Sequence, residues 1–261
     1  MTVAAVVRER GLPRLGGFSW GMVRLELRRL VRNRRTVIFT FVMPAVFFLL
    51  FGTSESYRTQ RVGGGNVTGF VLVSMAVYGA MLATTSGGAM VSVERAAGWS
   101  RQLRLTPLRP VAYVAVKLVL AMIIGAVSVA VAFAVGAVAG ARLPAAAWVE
   151  CGVLAWLCAL VFAAFGLFMG YLLPSENVMQ ILGPVLAVLA FAGGLFVPLD
   201  LMGSTFATLA KFTPVYGVGE IARYPLVREG NLWLAGLNVL VWTSVFTAGA
   251  VWRFRRDTAR V

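Results

Sequence analysis

Six apolar runs constrain the fold of this chain more than any other feature of its sequence. A helix needs about 20 apolar residues to cross the roughly 30 Å hydrocarbon core of a bilayer, because it rises about 1.5 Å per residue. Only 13% of the 261 residues are charged, against about 25% in soluble domains. The sequence therefore predicts an all-α, polytopic membrane protein with a single transmembrane domain. Its six predicted transmembrane helices cover residues 36–53, 67–92, 111–140, 146–173, 178–197 and 231–252.

Basic residues are distributed unequally between the two predicted sides of the membrane. With the N terminus inside, 18 of the 24 Lys and Arg residues fall in or next to cytoplasmic segments, as is typical of cytoplasmic loops. We therefore expect a multi-pass protein of the cytoplasmic membrane with both termini cytoplasmic. Arginines that flank the spans account for the net charge of +14, so no nucleic-acid partner is predicted. Lys117, just inside the third span, is expected to extend its side chain to the cytoplasmic surface.

The reactive side chains argue against an enzyme. The chain has no His, and Cys151 and Cys158 lie two turns apart in one apolar run, too far apart to form a disulfide. No catalytic residue, metal site or cofactor is predicted in this chain. The absence of an acidic residue deep in a span argues against a proton- or sodium-driven carrier. The alternative from another class is a multispan enzyme that acts on lipids, but its cluster of acids, His or Cys is not visible.

A short amphipathic segment precedes the first span. At about 100° per residue, Trp20, Val23 and Leu27 share one arc of a helix, and most of the arginines lie elsewhere. A basic amphipathic helix of this kind lies in the membrane interface with its arginines toward anionic headgroups. We predict an interfacial helix over residues 18–35, with membrane lipid as a partner. Its predicted anchors are Trp20, Arg24, Arg28 and Arg32.

A charged connector, residues 93–108, separates the second and third spans. It keeps apolar side chains at helical spacing among its arginines, and so short a loop offers them no partner. A short helix with an apolar knob and a basic rim is a surface that docks in the groove of a soluble partner. The residues predicted to form this interface are Glu94, Arg95, Gly98, Trp99, Arg101, Gln102, Leu103, Leu105 and Pro107.

Two stretches of the chain resemble a known family. Glu94-Arg95, Gly98 and the run RQLRLTPL (101–108) resemble the cytoplasmic connector of permeases in the type-2 branch of ATP-binding-cassette transporters. A second resemblance, to that family's segment between the fifth and sixth spans, lies in GGLFVPLDLMGSTFATLAKFTPVYGVGEIAR (193–223). Within the family, the chain looks most like drug- and antibiotic-export permeases of actinobacteria. It departs from the family pattern at Trp99, where a smaller residue is usual, and at Met202-Gly203, where a proline often stands.

The resemblance implies a transport subunit that does not hydrolyse ATP itself, and the glycine-rich stretch RVGGGNVTG (61–69) lacks the Lys and Ser/Thr of a phosphate-binding loop. Two permeases, as a homodimer or as a heterodimer with a close paralogue, would sit over two copies of an ATP-binding-cassette ATPase subunit, which binds ATP and Mg. The connector, as a coupling helix, would dock in a cleft of each ATPase subunit. Closure of the ATPase pair would switch the spans between inward- and outward-facing states.

The predicted function is export of an amphiphilic drug, antibiotic or lipid-like small molecule across the cytoplasmic membrane. An apolar, weakly polar route suits such a molecule better than a sugar or an ion. A lipid- or polysaccharide-exporting permease and a non-transporting immunity subunit of the same family stay open as alternatives.

One face of the second span carries small and polar side chains at spacings of three and four residues. Such a face avoids lipid, and it either packs against another helix or lines a substrate path. The sequence leaves both possibilities open. The residues of this face are Ser74, Tyr78, Met81, Thr85, Gly88 and Ser92.

The stretch 198–228 is too apolar for a solvated loop and too broken by Pro and Gly for a span. Non-spanning backbone at membrane depth must be covered by protein. We therefore predict two short re-entrant helices that dip into the outer leaflet, and the resemblance implies that they plug the outer end of the route. The predicted plug residues are Phe196, Pro198, Phe206, Phe212, Pro214 and Tyr216.

Overall fold

The computed structural model describes residues 20–32, 38–98 and 110–259. Most of these residues are helical, and one short antiparallel hairpin is present. In chain order the elements are α1 (Trp20–Val31), a π-helical turn (Ile38–Val42), α2 (Met43–Gly52), α3 (Glu55–Thr59), β1 (Arg61–Val62), β2 (Gly65–Asn66), α4 (Val67–Ala96), α5 (Pro110–Val138), α6 (Ala145–Cys158), α7 (Leu160–Leu172), α8 (Ser175–Ala192), a 3-10 turn (Leu199–Leu201), α9 (Ser204–Ala210), α10 (Pro214–Val227) and α11 (Leu232–Ala259).

Five helical segments within the described residues are long and apolar enough to cross a membrane. They are α4, α5, the consecutive pair α6 and α7, α8 and α11, and they correspond to five of the six predicted spans. The first predicted span, 36–53, contains the π-helical turn and α2, with a shorter apolar helix over Thr40–Gly52. At about 1.5 Å per residue this helix is roughly 20 Å long, shorter than a bilayer core of about 30 Å.

Helix α4 is the central helix of the bundle. It packs along α5 and α7 and also contacts α2, α8 and α10. Glycines permit the closest of these contacts. A Cβ added at Gly166 of α7 would lie 2.2 Å from the carbonyl oxygen of Thr85, and one added at Gly88 would lie 2.6 Å from that of Ala163. The backbones of α4 and α7 are therefore too close to admit larger residues at these two positions.

The long helices alternate in direction, so the bundle has two ends. The connector end carries the last turns of α4, α7 and α11 and the start of α5. The hairpin end carries β1 and β2, which pair Arg61 with Asn66. The side chain of Asn66 accepts hydrogen bonds from the backbone N–H groups of Gly69 and Arg142, each at 2.9 Å. One amide thus caps α4 and fixes the turn between α5 and α6.

The stretch 198–228 contains two short helices, α9 and α10, after the 3-10 turn. Helix α10 is largely buried against α6, α11 and α4. Its Arg223 donates hydrogen bonds to the carbonyl oxygen of Gly194 at 2.9 Å and to the hydroxyl of Ser74 at 3.3 Å. The stretch is therefore joined to the central helix, while its re-entry into a membrane stays a prediction.

Helix α1 packs against α5, which corrects the predicted lipid-facing arc. Val23 is 3% exposed, and with Leu27 it packs against Val116 and Leu120 of α5. Trp20, on the same predicted arc, is 68% exposed. Burial against a helix and burial in lipid remove the same apolar surface from water. The periodicity of α1 therefore predicted an apolar face but not the surface that covers it.

Candidate coupling site at the connector end

Both flanks of the connector are described, although most of the connector lies outside the described residues. Helix α4 continues to Ala96, and Gly98 follows with a φ of 74°, a left-handed conformation that glycine adopts without strain. Helix α5 begins at Pro110, where proline is well suited to a first helical position. The predicted interface residues outside the described ranges are Trp99, Arg101, Gln102, Leu103, Leu105 and Pro107.

Arg95, in the last turn of α4, binds the end of α7. Its Nη1 donates hydrogen bonds to the carbonyl oxygens of Tyr171 at 3.0 Å and Gly170 at 3.3 Å. Its guanidinium carbon also lies 5.6 Å from the centre of the Tyr171 ring. The last carbonyls of a helix lack partners within the helix and form the negative end of its dipole. Arg95 therefore ties the entrance of the connector to α7.

Glu94, the preceding residue, points into the protein. It is 5% exposed, and its carboxylate accepts hydrogen bonds from the hydroxyl of Tyr113 and the ammonium group of Lys117. Tyr113 and Lys117 are four residues apart on α5 and so share one face of that helix. The two helices that flank the connector are thus joined by a buried ion pair.

Lys117 is buried, which corrects the prediction that it reaches the cytoplasmic surface. It is 1% exposed, and besides Glu94 its Nζ contacts Oε1 of Glu26 on α1 at 3.2 Å. An ammonium group carries three N–H donors, so it can bind both carboxylates. The two carboxylates replace the hydrogen bonds to water that the ammonium group would otherwise form at the surface. We call Glu26, Glu94, Tyr113 and Lys117 the ion cluster.

The ion cluster specifies geometry more than it adds stability. Burying each charge costs several kcal/mol, and replacing a buried ion pair by apolar residues is often neutral or stabilising by about 1–4 kcal/mol. Removing one partner alone is different, because it leaves an unpaired buried charge at a cost of about 3–5 kcal/mol. The cluster therefore disfavours arrangements in which α1, α4 and α5 separate at the connector end.

Sequence reasoning did not find the ion cluster, although two signals for it are visible. A lysine inside an apolar run and a glutamate at the end of the neighbouring run are each expensive in a membrane unless paired. Glu26 gave no such signal, because it lies among the arginines of α1.

The small and polar face of the second span is buried inside the chain. The hydroxyl of Thr85 donates a hydrogen bond to the carbonyl oxygen of Phe162 at 3.3 Å, and Tyr78 packs edge-on against Phe196 with ring centres 5.0 Å apart. These are contacts of helix packing within this chain, and a role of the face in a substrate path stays a prediction. All six residues of the face are buried: Ser74, Tyr78, Met81, Thr85, Gly88 and Ser92.

The predicted plug residues differ in how far they are covered. Phe212 is 71% exposed. Tyr216 is buried at the start of α10, and burial raises the pKa of its phenol above the ordinary value of 10.0, with a smaller contribution from Glu220. The buried or half-buried members of the plug are Phe196, Pro198, Phe206, Pro214 and Tyr216.

The predicted membrane anchors are all exposed, three of them on α1 and the fourth directly after it. An exposed aromatic ring among arginines suits a membrane interface, where an apolar body and anionic headgroups meet. Contact with lipid remains a prediction for these residues. They are Trp20, Arg24, Arg28 and Arg32.

An apolar groove of about 350 Å³ lies between α5, α7 and α11. Leu118, Leu167 and Ala250 contribute to its walls, which are mostly hydrocarbon. Arg255 lines the part of the groove nearer the connector end. The lining of the groove is therefore almost entirely apolar.

The fold and this site define a polytopic α-helical membrane protein in which a charged connector is fixed to the bundle at both flanks. The chain belongs to the ABC-2 type transporter family, whose model matches residues 19–227. It is similar to a protein of Bacillus subtilis (strain 168) named "Putative transport permease YvfS", with 28% identity over 221 residues that cover 83% of this chain and 88% of that protein. The resemblance found in the sequence is thereby confirmed at the level of the family. The chain is a membrane-bound transport permease, and permeases of this family work with an ATP-binding subunit.

Proposed function

We propose that this chain is the permease of an exporter that moves an amphiphilic drug, antibiotic or lipid-like small molecule out across the cytoplasmic membrane. A separate ATPase subunit, which binds ATP and Mg, drives the movement by alternating access. Two permeases, identical or closely paralogous, act with two ATPase subunits. The connector docks in a cleft of each ATPase subunit and receives its movement.

The main support for this proposal is that the helices on both sides of the connector are bound to the bundle by specific side-chain contacts. Arg95 binds the carbonyl end of α7, and Glu94 binds Lys117 and Tyr113 of α5. A displacement of the connector is therefore passed on to α4, α5 and α7. A connector with loose flanks would absorb the same displacement in its own backbone.

Within the connector, we assign the docking contact to Trp99 and Leu103. They are four residues apart and so share one face if the segment is helical. Glu94 and Arg101 orient this apolar knob, and Arg104 lies at its rim. A buried tryptophan is among the commonest anchors of protein interfaces.

The apolar groove supports an amphiphilic cargo. Its walls suit a hydrocarbon body. A sugar would leave most of its hydroxyl groups without partners in such a site, which is costly. The groove therefore favours drugs and lipid-like molecules over polysaccharides.

The assignment of Trp99 is tested by comparing two substitutions in the connector. Trp99→Ala should leave the permease folded in the membrane but weaken its affinity for the ATPase subunit by about 30-fold or more, because truncating such an anchor costs about 2 kcal/mol or more. Arg104→Ala, the matched control, should weaken it by about fivefold or less, with a dependence on salt. Co-purification at several salt concentrations measures both. Equal losses for the two variants would contradict the assignment.

A further inference from the structure

The ion cluster joins α1 to both flanks of the connector, a link that the coupling scheme above does not require. Glu26 belongs to α1, Glu94 to the last turn of α4, and Lys117 to the second turn of α5. The ammonium group of Lys117 holds both carboxylates. One side chain thus connects three helices that are separate in sequence.

Apolar contacts cover this link. Val23 and Leu27 flank Glu26 on α1, and Val116 and Leu120 flank Lys117 on α5. The two helices pack through these residues, so the ion pair between them has little access to water. The attraction between two opposite charges is stronger when water is excluded than on a surface, so the pair holds its geometry even though burying the charges adds little net stability.

The need to hold α1 against α5 does not by itself explain why a glutamate stands at position 26. An apolar residue at this position would pack against α5 without the cost of desolvating a carboxylate. The side chain of Glu26 is nevertheless only 14% exposed, and it is directed at Lys117. The contact therefore favours one defined position of α1 relative to the connector.

We propose that Lys117 is a positioning residue that makes α1 and the two flanks of the connector move as one body during transport. The inference rests on the proposed function, because it requires an ATPase subunit that moves the connector. Helix α1 exposes Trp20, Arg24 and Arg28 on its outer side. The movement of the ATPase is thereby delivered to the membrane interface as well as to α4 and α5.

Glu26→Gln tests whether the ion pair couples the movement of α1 to that of the connector, without a general loss of protein stability. The substitution keeps the size of the side chain, removes the charge that holds α1, and leaves Lys117 paired with Glu94. Arg29→Gln is the matched control, since it neutralises an exposed charge on the same helix.

The experiment uses the complex of the permease with its ATP-binding subunit in lipid nanodiscs. Spin labels are placed at two exposed positions, Arg28 of α1 and Ala96 of α4, after replacement of Cys151 and Cys158 by alanine. The distance between the labels is measured with and without ATP and Mg. ATP hydrolysis by the complex is compared with hydrolysis by the ATP-binding subunit alone.

In the otherwise unmodified complex, the distance should keep one narrow distribution through the ATP cycle. Glu26→Gln should broaden it and reduce the stimulation of ATP hydrolysis about tenfold, the factor that 1.4 kcal/mol represents. The thermal stability of this variant and its co-purification with the ATP-binding subunit should persist. Arg29→Gln should retain both the narrow distribution and the stimulation.

Two results would overturn the inference alone: an intact complex in which the two labels move apart with ATP, or full stimulation in Glu26→Gln. Failure of the unmodified chain to bind any ATP-binding subunit would instead overturn the proposed function, and the inference with it.

Discussion

Gly166 determines how closely α7 approaches the central helix. A Cβ at this position would lie 2.2 Å from the backbone oxygen of Thr85. The close approach lets the hydroxyls of Thr84 and Thr85 reach the carbonyl oxygens of Ala159 and Phe162 at 3.1 and 3.3 Å. In a bilayer, apolar side chains pack as well against lipid as against protein, so small residues and hydrogen bonds between helices stabilise the bundle.

Gly166→Ala should therefore destabilise the protein by about 1–3 kcal/mol, the usual cost of overpacking a core. Gly236→Ala is the control, because a Cβ at this helical position meets nothing within 4 Å. It should be neutral or stabilising by up to about 1 kcal/mol, since alanine favours a helix over glycine. Thermal denaturation of the two variants in detergent measures the difference. Equal stability would show that α4 and α7 are not in such close contact.

For the individual helices, the sequence predicted the length of the transmembrane segments. It did not predict which surface, lipid or another helix, covers each apolar helix face. Apolar runs indicated α4, α5, the pair α6 and α7, α8 and α11, because only long uninterrupted helices satisfy their backbone in lipid. The arc on α1 was visible, but periodicity does not tell a lipid surface from the side of α5. The burial of Lys117 was missed for a related reason, since its partner Glu26 is distant in sequence and is identified only by the packing of α1.

Helix α9 alternates covered and exposed positions along its length. Ala210 is 2% exposed and Phe206 is half-buried, whereas Leu209 is 63% exposed. The covered positions recur at a spacing of four residues, as on one face of a helix. The stretch thus combines an exposed face with one that packs on the protein, as the predicted plug requires.

Single cysteines along residues 201–212 should react with an impermeant thiol reagent in a helical pattern. The substitutions are made in a chain that lacks Cys151 and Cys158, and the reagent is applied to intact cells. Cysteines at 205 and 209 should react fast and those at 206 and 210 slowly, because the latter two face the protein. Uniform reaction would indicate a flexible loop, and reaction only after lysis would place this end of the bundle in the cytoplasm.

Across the whole molecule, α4 runs through the bundle from the hairpin end to the connector end. Its last turn is held by the contacts of Glu94 and Arg95 beside the connector. Its first turn is capped by Asn66, and Ser74 accepts a hydrogen bond from Arg223 of α10. The proposed coupling therefore requires that α4 carry the movement of the connector to the segment predicted to close the outer side.

The central claim is that the connector docks in an ATP-binding subunit, and crosslinking from position 99 tests it most directly. A cysteine replaces Trp99 in a chain without Cys151 and Cys158, and a short bifunctional thiol reagent is added to the assembled complex. We predict a covalent product that contains one permease and one ATP-binding subunit, with a yield that changes when ATP and Mg are added. If this cysteine reacts only with lipid-soluble reagents while stimulated ATP hydrolysis persists, then residue 99 is a lipid anchor of the kind that tryptophans often form near span ends, and the claim is wrong.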